Sequence, residues 1–139
     1  MYLTYSEYRD MGGTLEEAAF NEYEFEAEST INWYTFNRLI KEDNTSDNVK
    51  RLMFKLIKLI QLNQQAQSLG QSANGHDNIT AAIASQSNDG FSTSYNALSA
   101  SEALSHNAES IKRLVQQYLG AEVNSLGHKL LYRGVYPNE

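Results

Sequence analysis

The chain has 139 residues, a formal net charge of −6, a 41% hydrophobic content that includes nine tyrosines, and no cysteine. That length fits one domain, and the apolar share is enough for a modest core and too high for a disordered chain. Disulfides and thiolate metal sites are excluded. The three histidines, His76, His106 and His128, are scattered without metal-ligand spacing.

Thr4-Tyr5-Ser6-Glu7 is a capping-box pattern and predicts a short helix over about 4–11, stopped by Gly12-Gly13. Thr14-Leu15-Glu16-Glu17 repeats the pattern and predicts a long helix over about 15–38. On its wheel Phe20, Tyr23, Ala27, Ile31 and Tyr34 share one face. Phe25 and Phe36, with Trp33 nearby, fall on the opposite side. One apolar stripe is enough to join a core, so the second implies burial against another element or another subunit.

A polar connection leads to a helix over about 47–69, capped by Ser46 or Asp47 and ended by Gly70. Val49, Leu52, Met53, Leu56, Ile57, Leu59 and Ile60 form its core face, with Arg51, Lys55 and Lys58 opposite. Phe54 and Leu62 lie outside the apolar arc and are candidate contacts for a neighbour. After a polar loop, Ile79 to Tyr95 reads as a β-hairpin over about 79–95. With Asn88-Asp89-Gly90 as a three-residue loop, Ser87 faces Phe91, Ser85 faces Thr93 and Ile83 faces Tyr95. So small a hairpin is marginal by itself and is expected to protrude toward a partner.

Ser99-Ala100-Ser101-Glu102 opens a helix over about 100–119. Its stripe is Leu104, Ala108, Ile111, Val115 and Tyr118, with Leu114 and Leu119 at the margins and Gly120 as the stop. Residues 121–139 form a tail whose Lys129-Leu130-Leu131-Tyr132-Arg133-Gly134-Val135-Tyr136-Pro137 run reads as extended and apolar. It is expected to dock on its own domain or as an added strand on a partner. The fold class is therefore mainly α: a small bundle of three main helices plus a short N-terminal one, with a protruding hairpin and an extended tail, in one domain.

No phosphate loop or nucleophile elbow is present in the sequence, and Ser105, His106 and Glu109 would point apart on a helix. Glu22 and Glu26 share a face but lack a histidine at Glu-x-x-His spacing, so they read as a solvated acidic face. No enzyme activity and no cofactor or metal is expected. Residues 1–47 hold eleven acidic and three basic side chains, whereas Lys50, Arg51, Lys55 and Lys58 form a basic run. That run makes a small DNA-binding or packaging-accessory protein, using the helix 47–69, the alternative function. The connection before this helix is longer than a helix-turn-helix allows, and the acidic balance opposes phosphate binding. The sequence has no secretory leader pattern and no apolar run of transmembrane length, so an intracellular or intraparticle setting without membrane contact is expected.

The order of elements resembles that of the small head-tail connector (head-completion, or adaptor) proteins of long-tailed bacteriophages and prophages. The resemblance rests on Tyr2-Leu3-Thr4-Tyr5-Ser6-Glu7-Tyr8, Met11 to Phe20, Ile31-Asn32-Trp33-Tyr34-Thr35-Phe36-Asn37-Arg38, Val49 to Phe54, Ser85 to Tyr95 and Leu130-Leu131-Tyr132-Arg133-Gly134-Val135. Asn32 stands where such proteins usually carry an acid, and the loop at 63–78 is longer than usual. The resemblance implies a structural adaptor in the virion neck, present in the host cytoplasm during assembly. It would form a ring of copies, typically twelve, under the portal protein, and dock the next neck or tail-completion protein. The genome would pass through without sequence-specific binding. Such ring components are expected to stay monomeric until they meet a template. The residues expected to meet other subunits or the portal are Phe25, Trp33, Phe36, Phe54, Leu62, Asn88, Asp89, Gly90, Phe91, Tyr95, Leu130, Leu131, Tyr132, Arg133 and Val135.

Overall fold

The computed structural model describes residues 1–43, 45–72 and 100–137. The hairpin expected over 79–95, with Asn88, Asp89, Gly90, Phe91 and Tyr95, lies outside the described residues, as does the Ser99 cap. The described residues form α1 (Tyr5–Asp10), α2 (Glu17–Tyr34), α3 (Asp47–Ser72) and α4 (Ala100–Leu119). The chain is mainly helical, as its patterning predicts.

The first capping box forms in full. Thr4 Oγ1 accepts the Glu7 amide at 3.3 Å, and the Glu7 carboxylate accepts the Thr4 amide at 2.9 Å. Gly12 ends α1 in the left-handed region at φ +88°, and the Gly13 amide returns to the Tyr8 carbonyl. The second box does not form. The Tyr8 hydroxyl accepts the amides of Thr14 and Leu15. This fixes the chain there, so α2 starts at Glu17 with Glu16 as a cap that makes no side-chain bond.

α2 buries Phe20, Glu24, Ala27 and Ile31, while Tyr23 and Tyr34 are half-buried. It ends at Tyr34, short of the Arg38 expected. After the last helical bond, from the Thr35 amide to the Ile31 carbonyl, the Asn37 amide reaches back to the Asn32 carbonyl in the 6→1 bond of a Schellman-type turn. The left-handed residue of that turn is Phe36 at φ 53°, followed by Asn37 at φ 60°. A glycine usually takes this place, and its absence from the sequence hides the helix end.

The Ser46 hydroxyl caps α3 through the Val49 amide. α3 runs through Gly70 to Ser72, beyond the expected end, since a lone glycine costs a helix only about 1 kcal/mol. Its expected core face is borne out for Val49, Leu52, Met53, Leu56 and Ile57, which are fully buried, whereas Leu59 and Ile60 are half-buried. α3 packs against both α2 and α4. α4 contributes Val115 and Leu119, so Leu119 is a core residue and not a marginal one, and Ala108 is exposed.

Residues 120–137 are compact and turn-rich, not extended. One isolated antiparallel bridge pairs Val123 with Lys129. Gly127, at φ +79°, closes the intervening turn, which Asn124 Oδ1 braces through the amides of Leu126 and His128. Leu130 then enters the core at 1% exposure. The tail thus docks on its own domain.

The N-terminal arm lies along α2. The Tyr2 amide donates to the Glu24 carboxyl at 2.9 Å and the Tyr2 hydroxyl to Asn32 Oδ1. Burial pushes the Tyr2 phenol up to about 12, with the Glu28 charge adding to the effect. Burial also pushes the Glu24 carboxyl above its ordinary range.

Candidate functional site

α2 and α4 both lean on α3, and a groove of about 1100 Å³ opens between the end of α2, the middle of α4 and the tail. Trp33 and Phe36 supply its aromatic wall, Leu131 part of the remaining apolar wall, and Lys112, Gln116 and Arg133 its polar rim. Trp33 is 74% exposed and Phe36 51%. No carboxylate lines the groove among the described residues, although the chain carries 17 acidic residues.

Arg38 shapes this region from below. It is buried, and its guanidinium donates to the carbonyl oxygens of Lys129, Leu130, Tyr132 and Gly134. It also lies 5.4 Å from the Phe36 ring centroid and 5.2 Å from that of Tyr136. One planar fork therefore fixes both the left-handed turn that presents Phe36 and the tail that presents Leu131 and Arg133. The tail is braced further by Tyr136, whose ring stacks on His128 at 3.8 Å and whose hydroxyl accepts the Lys129 amide. Across the turn, the Glu42 carboxylate accepts the Ser125 amide and hydroxyl.

Of the residues expected at an interface, Trp33, Phe36, Leu131 and Arg133 come together in this groove. Phe25 is exposed on α2, two helical turns before Trp33 and one before Ser29 at the groove's edge. Tyr132 and Val135 are exposed on the tail outside the groove, and Leu62 is exposed on α3. Two expectations are corrected. Leu130 is a core residue, because the turn-rich tail folds it inward. Phe54 is half-buried and packs on the Tyr8 ring at 5.6 Å, with the Lys58 ammonium 4.5 Å from its ring centroid. It lies at the margin of the core, beside a smaller cleft.

Arg38, Lys112 and Gln116 are not among the residues expected at an interface, although Arg38 ends the Ile31 to Arg38 run that carries the resemblance. Their signal is distance in sequence: Arg38 reaches partners 91 to 96 residues away, which no local pattern records. The basic run of α3 is also thinned, because the Lys50 ammonium sits 2.6 Å from the Glu7 carboxylate. That bond is the first cause holding Glu7 down at about 2, with the Thr4 amide and hydroxyl adding to it.

Among the described residues, no group of three His, Asp or Glu side chains could hold a metal ion, and no helix is long and apolar enough to cross a membrane. No family model, curated protein or solved structure matches this chain.

Proposed function

We propose that the protein is a structural adaptor of a phage neck, assembling as a ring of copies under the portal and docking the next neck or tail protein. The observation that carries the proposal is the pair Trp33 and Phe36. Two large aromatic side chains stand exposed at one groove, and one of them occupies a left-handed backbone position that costs about 1–2 kcal/mol. Strain of this kind persists where function requires it, and exposed aromatics beside an arginine match the composition of protein–protein hot spots. Phe25, Leu62 and Val135 add apolar surface that further contacts in an assembly would cover. The acidic balance suits a conduit through which DNA slides without being held.

The test is co-sedimentation with the portal ring of the encoding phage, comparing the native chain with a Trp33→Ala/Phe36→Gly double variant. The adaptor reading requires binding by the native chain and its loss in the folded variant. Equal binding by both, or none by either, rejects it.

A further inference from the structure

The outward face of α2 is complementary to itself. Phe25, Ser29 and Trp33 follow one another at four-residue spacing, so they form a stripe on one side of the helix, with about 6 Å between neighbours along the axis. All three are exposed. The Ser29 hydroxyl is turned back onto the Phe25 carbonyl at 2.8 Å, so the centre of the stripe is small and needs no outside partner. The two ends differ in charge. Around Phe25 lie the exposed acids Glu22 and Glu26. Around Trp33 lies the carboxylate-free groove with Lys112 and Arg133 on its rim.

From this complementarity we infer that two copies of the chain pair through α2 about a two-fold axis at Ser29, each copy setting its Phe25 into the other's Trp33–Phe36 groove. Antiparallel pairing centred on Ser29 brings Phe25 opposite Trp33 and Glu26 opposite Asn32 of the second copy, with Glu22 toward the turn that follows the second copy's α2. The acids flanking each Phe25 then approach the groove whose rim carries Lys112 of α4 and Arg133 of the tail in the second copy. Parallel pairing would set Glu22 against Glu22 and Glu26 against Glu26, which repel. The contact is isologous, so it closes at two copies. It buries the aromatic wall that a free monomer would expose, and it needs neither a portal nor a ring. It therefore goes beyond the adaptor reading and replaces the free monomer expected from the resemblance: the pair is a storage form that an assembly using the same groove has to open.

The first measurement is sedimentation equilibrium of the purified full chain. The pairing gives a species of twice 15.7 kDa that dissociates as salt rises, because the flanking charges are screened. The folded Glu22→Lys/Glu26→Lys variant is monomeric, and adding Lys112→Glu and Arg133→Glu restores the pair. The second measurement exploits the lack of any native cysteine. In Ser29→Cys the two thiols meet across the axis, so a disulfide-linked dimer forms roughly tenfold or more faster than in Ser68→Cys, through high effective concentration. A head-to-tail ring joins unlike positions and gives no such advantage. A native chain that stays at 15.7 kDa up to its solubility limit overturns the pairing. So does a larger closed ring, a dimer indifferent to the Glu22/Glu26 change, or equal cross-linking of the two cysteine variants. Portal binding is read separately, so either conclusion can fail without the other.

Discussion

Nη2 of Arg38 lies 2.7 Å from the carbonyl oxygen of Gly134, a residue 96 positions later. This bond and its neighbours join the strained turn after α2 to the tail beyond α4, and the groove exists because both are held together. Arg38 has five donors in a rigid plane, and the turn-rich tail offers several carbonyls that no strand partner satisfies. The tail therefore folds around the guanidinium and not into a sheet.

Replacing Arg38 should loosen the tail and the groove at once. Arg38→Met keeps much of the stem but strands several carbonyl acceptors, each worth about 1–3 kcal/mol when left unpaired out of water. A loss of about 3 kcal/mol in urea unfolding is expected. Arg38→Lys keeps the charge without the fork and should recover no more than about half of it. A loss below about 1 kcal/mol for Arg38→Met would show that the tail is held by Leu130 and not by this residue.

On the adaptor reading, Phe36 should separate stability from portal binding. Phe36→Gly relieves a left-handed strain of about 1–2 kcal/mol and gives up a half-exposed ring with a cation–π contact worth about 0.5–1 kcal/mol. The stability of the folded chain should change by less than about 1 kcal/mol. Phe20→Ala, which empties a fully buried site, should cost about 3–5 kcal/mol. Portal binding should show the reverse order of sensitivity per unit of stability lost, with Phe36→Gly losing binding while remaining folded. Denaturant unfolding beside a binding titration reads both.

Two carboxyls should shape the pH dependence with opposite signs. Glu7 is held down at about 2. Its contribution is complete above the ordinary value of 4.5 and disappears as the pH falls through about 2. Glu24 is raised, by burial first. The stability associated with its neutral form is complete below its ordinary value of 4.5 and declines as the pH rises through the elevated one. Glu7→Gln should flatten the acid limb of a stability–pH curve, and Glu24→Gln should flatten the limb above the ordinary carboxylate range. The Glu7 effect should shrink in high salt, since its partner Lys50 is near the surface. Urea midpoints between pH 2 and pH 7 would show either slope unchanged if these assignments are wrong.

Gly13 has a packing reason to lack a side chain. A methyl group there would collide with the ring of Tyr8, which is itself buried against Phe20 and Phe54 and holds the amides of Thr14 and Leu15. Gly13→Ala should destabilise the fold by about 1–3 kcal/mol through that displacement. Gly12, at positive φ but with open space around it, should lose about 1–2 kcal/mol to alanine through backbone strain. Combining Gly13→Ala with Tyr8→Leu, which removes the ring the methyl would meet, should show strong coupling in a double-mutant cycle.

The sequence is legible where the deciding forces are local. The Thr4–Glu7 capping box formed as read, the Ser46 cap is one of the two expected, and five of the seven core-face residues of α3 are fully buried; each depends on neighbours within a turn or two. The end of α2 was not legible, because its left-handed residue is Phe36 and the usual glycine signal is missing. The Thr14 cap failed for a tertiary reason, since the Tyr8 hydroxyl reaches the start of the element first. Glu24 sits on a buried face that patterning assigns to apolar residues, and the N-terminal arm makes it tolerable by donating the Tyr2 amide. In the candidate site, the exposed aromatics Trp33 and Phe36 were readable as a second stripe. The groove they line was not, because it depends on Arg38 meeting carbonyls in the tail.

The most direct test of the adaptor reading is the mass of the portal ring before and after addition of the native chain. The reading predicts a discrete gain corresponding to one ring of copies, abolished by Trp33→Ala/Phe36→Gly. A portal mass that does not change in the presence of excess folded chain would contradict it.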